Sequence, residues 1–113
     1  MPTELQRDMK HPERMFVAHP YNPVYLLPLA ELVGGEKTAK ATLEEAKAKL
    51  APIGMKGVII NKEIEAFVGD RLLEAVWREG LWLIKDDICD TETLDDVIRY
   101  SFGMRWAQMG MFE

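Results

Sequence analysis

The sequence has 113 residues, of which 48% are hydrophobic and 29% charged, so it can form one soluble globular core. Its net charge of −5, with basic residues scattered among acidic ones, excludes the basic surface of a nucleic-acid-binding domain. The longest apolar segment, residues 67–84, contains five charged residues and therefore cannot span a bilayer. With one cysteine and no secretion-type start, the chain is expected in the cytoplasm.

The first half of the chain predicts alternating strands and helices. Thr3 with Gln6 three residues later matches a capping box, which predicts a short helix over residues 3–9. The apolar run 14–19 predicts a buried strand that ends at His19. Prolines at positions 20, 23 and 28 predict a stiff loop, because each lacks an N–H and keeps its predecessor extended.

Further elements follow from hydrophobic spacing. We predict a strand over 29–33, an amphipathic helix over 38–50 and a strand over 56–60. Strand, loop, strand, helix, strand is the alternation of an α/β layer. A sheet this small leaves its edges uncovered, so we expect something further to cover one side.

The second half of the chain predicts helices. Residues 67–84 have helical period with a wide apolar surface, which indicates burial on more than one side. Asp90 or Thr91 can cap another helix that runs to about Phe102. Gly103 then stands where a left-handed C-cap residue belongs.

One motif, at residues 19–23 and 29–33, is specific enough to indicate a protein family. The segment His19-Pro20-Tyr21-Asn22-Pro23, followed by residues 29–33, resembles the histidine motif of the 3-hydroxyacyl-CoA dehydrogenase family. That family places a catalytic histidine at a strand end, an Asn-Pro after it, and an acidic residue twelve positions beyond, which is the spacing of His19 and Glu31. Residues 66–73 resemble the start of the family's first C-terminal helix, and residues 103–113 resemble a later loop.

This resemblance implies a fold, a cofactor and an assembly. The fold would be α/β plus all-α, with residues 1–62 forming the C-terminal part of an NAD-binding Rossmann-like domain. Residues 63–113 would form the first helices of a domain like the C-terminal domain of 6-phosphogluconate dehydrogenase. The family implies an NAD-dependent oxidoreductase and a homodimer.

No Gly-x-Gly-x-x-Gly turn follows a strand in this sequence, and Gly34-Gly35 does not qualify. The cofactor-binding residues therefore stay unassigned. We expect either a fragment of an enzyme, inactive by itself, or a truncated relative. A non-catalytic piece that mediates dimerisation is the alternative from another functional class.

The substrate implied by the resemblance is a small 3-hydroxyacid. The run Val-Tyr-Leu-Leu-Pro-Leu after Asn22-Pro23 and the segment 103–106 are most similar to family members that oxidise L-carnitine. Members that oxidise L-gulonate are the nearest alternative. Enzymes for fatty acyl-CoA usually have asparagine where this chain has Asp70, which disfavours that substrate.

The chemistry of a secondary alcohol oxidation suits two of these residues. The hydroxyl proton must be removed, and the imidazole of His19 can take it because its pKa range lies near neutral pH. Glu31 would fix the tautomer and stabilise the imidazolium. Spacing alone favours a plain strand-end histidine and a surface carboxylate; the surrounding motif reverses that preference.

Four further side chains are candidate substrate ligands, each with a structural alternative. Asn22 can orient the substrate or form a turn, and Asp70 can favour a cationic substrate or stabilise a helix N-terminus. Arg105 can bind a carboxylate or cap a helix, and Trp106 can face a quaternary ammonium or pack in a core. We expect no metal site, because the seven methionines fit packing roles.

Overall fold

The computed structural model describes residues 1–113, which form two compact units, Met1–Arg71 and Leu72–Glu113. The strands are β1 (Phe16–Pro20), β2 (Leu29–Gly34) and β3 (Lys56–Ile60). The helices are α1 (Pro2–Leu5), α2 (Lys40–Leu50), α3 (Gly69–Lys85), α4 (Thr91–Tyr100) and α5 (Phe102–Trp106), with short 3-10 turns at Pro12–Arg14 and Ala51–Ile53. None of the helices combines the length and apolar character needed to cross a bilayer.

The three strands form one mixed sheet in the order β1-β2-β3. β1 pairs with β2 antiparallel, as expected if the proline-rich loop returns the chain, and β2 pairs with β3 in parallel. The parallel pair is joined through α2, because a parallel connection needs a crossover. β1 and β3 each pair only with β2, so both outer edges of the sheet are free within this chain.

The core of the first unit lies between the central strand and α2. Ala30, Leu32 and Val33 of β2 are buried, and Leu43 is the buried residue of α2. Gly57 allows close packing here, since a Cβ at this position would lie 3.2 Å from side-chain carbons of Leu32 and Leu50. The central strand is thus buried on both faces, which fixes the positions of the side chains along it.

The N-terminal expectation was wrong in its bounds and in its cap. The helix begins at Pro2 and ends at Leu5. Its N-cap is Met1, Thr3 lies inside it, and Gln6 is at its C-terminal end, so Thr3 and Gln6 form no N-terminal capping box. Thr3 Oγ1 donates to Glu63 at 2.5 Å, while the buried Gln6 amide donates to Thr38 Oγ1 at 2.6 Å and to the carbonyl of Pro12 at 2.8 Å. These distant partners satisfy the polar groups that a capping box would have used locally.

The second unit is helical, as predicted, but its surface is more open than expected. Leu94 of α4 packs over Gly80, the buried residue of α3, where a Cβ would lie 2.8 Å from Leu94 Cδ2. Large apolar side chains of α3 are nevertheless exposed: Leu72, Leu73, Trp77, Leu81 and Trp82. The wide apolar surface predicted for residues 67–84 is therefore only partly buried in this chain.

Two predicted helix ends were placed incorrectly. α3 begins at Gly69 rather than at residue 67, because Ala66 and Phe67 have left-handed φ values of 60° and 47°. α4 starts with the predicted Asp90 cap, whose carboxylate accepts from Thr93 N–H at 2.8 Å, but it ends at Tyr100. Gly103 is not a left-handed cap; it lies inside α5, where a Cβ would collide with the carbonyl of Ile98.

Candidate active site

His19 and Glu31 are direct partners in the antiparallel register of β1 and β2. Opposed residues project from the same face of a sheet, and here Nδ1 of His19 lies 3.1 Å from Oε2 of Glu31. Glu31 is only 2% exposed, whereas the His19 side chain keeps 30% of its surface accessible. The contact expected from the sequence is present, with the carboxylate buried behind the imidazole.

Glu31 receives four hydrogen bonds. Oε2 accepts from His19 and from the Tyr21 hydroxyl, the latter at 3.0 Å. Oε1 accepts from the backbone N–H groups of Val68 and Gly69 at 2.9 and 3.1 Å. Burial of a carboxylate costs free energy unless hydrogen bonds compensate for the lost water, and each oxygen of Glu31 accepts from two donors.

These donors decide the protonation state of Glu31. Burial acts to raise its pKa, but the hydrogen bonds from His19, Gly69, Tyr21 and Val68 outweigh burial and hold the pKa below its usual range. The side chain is therefore a carboxylate near neutral pH and can only accept hydrogen bonds. Consequently Nδ1 of His19 carries a proton, and in the neutral ring Nε2 is the free base.

Tyr21 is a member of this site that the sequence analysis did not single out as a functional residue. Burial, followed by its hydrogen bond to Glu31, raises the pKa of Tyr21 to about 12. Its ring meets the His19 ring edge-on, with 5.4 Å between centroids. The available signal was its position two residues after His19, since alternate residues of an extended chain point to one side.

The backbone before α3 is shaped for this carboxylate. Ala66 and Phe67 occupy the left-handed region, which is uncommon for residues with a Cβ. The next two N–H groups, those of Val68 and Gly69, donate to Glu31. Glu31 thus fulfils the role of an N-terminal helix cap, while Phe67 places its ring 5.3 Å from that of His19.

Asp70 lies on the other side of the imidazole. Its Oδ2 is 3.8 Å from Nε2 of His19, which is close enough for charge attraction but long for a hydrogen bond. The Asp70 side chain is about half exposed, at 49%. The imidazole therefore stands between two carboxylates, with the buried one on Nδ1 and the accessible one beside Nε2.

The remaining predicted ligands are placed as follows. Asn22 is exposed on the loop after β1, and its peptide bond to Pro23 is cis. Arg105 and Trp106 belong to the second unit, where both are exposed on α5 and the Trp106 ring packs 4.8 Å from that of Phe102. The structure thus brings together His19, Glu31 and Asp70 in the first unit.

Two features bear on a metal ion and on a dinucleotide: the His, Cys, Asp and Glu side chains, and the Gly34-Gly35 turn. No group of three or more His, Cys, Asp or Glu side chains is arranged to hold an ion. At the Gly34-Gly35 turn, a Cβ on Gly35 would lie 2.7 Å from the backbone nitrogen of Thr3 and would collide with Oε1 of Gln6. That turn is filled by the N-terminal segment, so these glycines do not fit a pyrophosphate.

Comparison with curated proteins gives close relatives. The chain is 78% identical over all 113 residues to an L-carnitine dehydrogenase/betainyl-CoA thioesterase of Rhizobium meliloti, of which it covers 23%. It is 56% identical over 111 residues to an L-carnitine dehydrogenase of Oceanobacillus iheyensis, of which it covers 36%. The chain therefore spans about a quarter to a third of the length of these relatives.

Solved structures show the same fold. The structure of 5-formyl-3-hydroxy-2-methylpyridine 4-carboxylic acid 5-dehydrogenase, described as an NAD+-dependent dismutase, matches 98% of this chain with a TM-score of 0.92 and 33% identity. A 3-hydroxyacyl-CoA dehydrogenase of Archaeoglobus fulgidus matches with a TM-score of 0.82 at 22% identity. These matches confirm the expected fold class, part of a Rossmann sheet followed by helices.

Two family models divide the chain between them. The model described as "3-hydroxyacyl-CoA dehydrogenase, NAD binding domain" matches residues 1–64. The model described as "3-hydroxyacyl-CoA dehydrogenase, C-terminal domain" matches residues 67–113. Together with the His19–Glu31 geometry and the relatives above, these matches show that the chain belongs to the 3-hydroxyacyl-CoA dehydrogenase family.

Proposed function

We propose that this protein is part of an NAD-dependent L-3-hydroxyacid dehydrogenase that oxidises L-carnitine to 3-dehydrocarnitine. The observation that carries the reaction is the buried Glu31 carboxylate 3.1 Å from Nδ1 of the accessible His19. The substrate is proposed from the 78% identity over 113 residues to a relative named for L-carnitine.

The proposed chemistry of this chain is removal of a proton. Oxidation of a secondary alcohol takes a proton from the oxygen and a hydride from the carbon. Nε2 of His19 takes the proton, and Glu31 stabilises the imidazolium that forms while keeping the ring oriented. We propose NAD as the hydride acceptor because residues 1–64 match an NAD binding domain. Gly34 and Gly35 are not the residues that hold it.

The proposed substrate ligands follow from the charges of carnitine, which has a carboxylate and a trimethylammonium group. Asp70 supplies negative charge beside the reacting nitrogen and so favours a cationic substrate. Arg105 binds the carboxylate, and the face of Trp106 attracts the quaternary ammonium. Asn22 orients the substrate through its amide.

The test is a graft into a complete relative. The matching segment of the Rhizobium meliloti protein is replaced by these 113 residues, and the purified graft is assayed with L-carnitine, L-gulonate and a 3-hydroxyacyl-CoA. We expect oxidation of L-carnitine, abolished by His19→Asn. His11→Asn is the matched control, because the His11 side chain is exposed and its only hydrogen-bond partner is the exposed carboxylate of Glu13. Preference for either other substrate, or full activity of His19→Asn, would refute the proposal.

The 113-residue chain alone should behave differently from the graft. We expect no micromolar binding of NAD in calorimetric titration, because no glycine-rich Gly-x-Gly-x-x-Gly turn is present and the Gly34-Gly35 turn is filled by the N-terminal segment. Micromolar binding would reveal a cofactor site elsewhere among these residues and refute this expectation.

We further propose a domain assignment, an assembly and a compartment. Residues 1–62 form part of the NAD-binding domain and residues 63–113 part of the helical domain, in line with the two matches at 1–64 and 67–113.

The exposed apolar side chains of α3 support a homodimer. The cytoplasm suits a protein with one free cysteine. Sedimentation that shows only monomer at micromolar concentration would contradict the dimer.

A further inference from the structure

We infer that Tyr21 is a positioning residue of this site: its hydroxyl shares the Glu31 oxygen that holds His19 and so sets how strongly the imidazole retains a proton. This inference rests on the proposed role of His19 as the base. It adds to the site a residue whose action passes through Glu31 rather than through the substrate.

The geometry makes two donors compete for one acceptor. Oε2 of Glu31 lies 3.1 Å from Nδ1 of His19 and 3.0 Å from the Tyr21 hydroxyl. Oε1 is already occupied by the N–H groups of Val68 and Gly69. Each carboxylate oxygen therefore accepts two hydrogen bonds. The one that Oε2 accepts from Tyr21 stabilises negative charge that would otherwise stabilise the imidazolium.

The Tyr21 hydroxyl is held in a fixed place. It lies directly over the Cα of Gly69, where a Cβ would overlap the hydroxyl oxygen and lie 2.8 Å from ring carbon Cε1. Only glycine leaves room for the phenol at this point. Glu31 and Gly69 thus bound the hydroxyl on two sides.

Tyr21 remains a donor throughout any practical assay. Burial, its hydrogen bond to Glu31 and the nearby negative charges raise the pKa of Tyr21 to about 12. The phenol does not ionise near neutral pH, so it keeps the proton that it donates to Glu31. Its hydrogen bond to Glu31 is therefore constant while the imidazole gains and loses its proton.

Removal of the Tyr21 hydroxyl should shift the titration of His19 in one direction. The charged groups facing His19 are Glu31 from β2 and Asp70 from α3, and Tyr21 is the neutral donor beside them. Tyr21→Phe keeps the ring but leaves Oε2 to His19 alone. The carboxylate then stabilises the imidazolium more strongly, so the ring should titrate at higher pH.

The direct test is nuclear magnetic resonance titration of the full 113-residue chain, whose only histidines are His11 and His19. In Tyr21→Phe we expect the His19 midpoint to rise by roughly 0.5 to 1 pH unit. This is part of the roughly 1 to 2 units that one hydrogen bond to a charged group is worth, because Tyr21 acts on His19 only through Glu31. His11 should not move. Tyr25→Phe is the matched control, because Tyr25 is 87% exposed on the same loop. An unchanged or lowered His19 midpoint overturns the inference.

A second variant, Gly69→Ala, keeps the inference testable if Tyr21→Phe does not fold. Gly69→Ala retains Tyr21 but forces its hydroxyl away from Gly69, so the His19 midpoint should again rise. Far-ultraviolet circular dichroism decides which variant is folded. If the folded variant shows no upward shift, the inference is wrong.

An activity measurement separates this inference from the proposed function. In the graft, Tyr21→Phe should move the acid limb of the pH profile of kcat/KM upward with little change in KM at the plateau. A shifted His19 midpoint in a graft that does not oxidise carnitine would reject the proposed function and retain the role of Tyr21. An active graft with neither shift would retain the function and reject the role of Tyr21.

Discussion

His19 and Glu31 stand directly opposite each other across β1 and β2, and this register brings Nδ1 to 3.1 Å from Oε2. A slip of one residue would turn the carboxylate to the other face of the sheet. The other oxygen of Glu31 accepts the N–H groups of Val68 and Gly69, where α3 begins. One buried side chain thus orients the imidazole and caps the N-terminus of α3.

Glu31→Gln should reverse the tautomer of His19. The glutamine carbonyl can still accept from Val68 and Gly69, which turns its NH2 group toward His19. Nδ1 must then accept, Nε2 carries the proton, and the ring can no longer act as base. We expect kcat of the graft to fall by roughly 10³ to 10⁴, as when the acid of a catalytic triad becomes an amide.

Nitrogen chemical shifts of His19 measure the tautomer directly. Glu44→Gln, on the exposed face of α2, is the control and should leave both tautomer and kcat unchanged. Retention of a protonated Nδ1 in Glu31→Gln would contradict the proposed orientation.

The same carboxylate should make stability depend on pH. The folded-state pKa of Glu31 is lowered, so its contribution is present above the ordinary glutamate pKa of about 4.3 and is lost as pH falls through the lower folded value. Wild type should exceed Glu31→Gln by about 1–3 kcal/mol in free energy of unfolding at pH 7. Denaturant titrations should show that difference shrinking from pH 5 to pH 3. A constant difference would show that the ionised form is not what stabilises the fold.

Gly69→Ala should destabilise the chain although it lies in a helix, where alanine is ordinarily better than glycine by about 1 kcal/mol. The added Cβ collides with the Tyr21 hydroxyl. Tyr21→Ala removes that collision. Gly69→Ala should therefore lower the free energy of unfolding less in the Tyr21→Ala background than in wild type. A double-mutant cycle by thermal unfolding measures the coupling, and additive effects would show that the two residues do not interfere. Gly110→Ala, whose Cβ would have only ordinary contacts, is the control.

Asp70→Asn should weaken selection for a cationic substrate. The carboxylate is half exposed, so its attraction for a charge a few ångströms away is about 1 kcal/mol and its loss should raise KM for carnitine roughly fivefold. An uncharged 3-hydroxyacid should be affected less. Steady-state kinetics of the graft with both substrates, and with the exposed Asp8→Asn as control, make the comparison. Equal effects on both substrates would leave Asp70 as a structural acid at the start of α3.

Trp106→Leu should raise KM for carnitine about tenfold and leave kcat for an uncharged 3-hydroxyacid little changed. The reason is loss of the attraction between a cation and an aromatic face, about 0.5–2 kcal/mol. Trp77→Leu is the matched control, since Trp77 is another exposed tryptophan. Equal losses on both substrates would reduce Trp106 to its packing against Phe102.

Local pattern was sufficient for most of the secondary structure. The strand at Lys56–Ile60 has its predicted bounds, and α2 lies within the predicted range, because apolar periodicity and glycine or proline boundaries are local properties. The spacing and motif of His19 and Glu31 likewise led to the contact that the sheet register provides. By itself the sequence therefore determined the order of the elements up to α4 and the central pair of the candidate site, but not α5, which occupies residues expected to form a loop.

Only the tertiary structure decided what surrounds that pair. Val68 and Gly69 stand 37 and 38 positions after Glu31, and no local pattern indicates that their N–H groups meet its carboxylate. Gln6 and Thr3 matched a helix cap, yet their side chains bond to Thr38 and Glu63, which are remote in sequence. Buried polar groups take whichever donors and acceptors packing brings to them, and that choice is made by the folded chain as a whole.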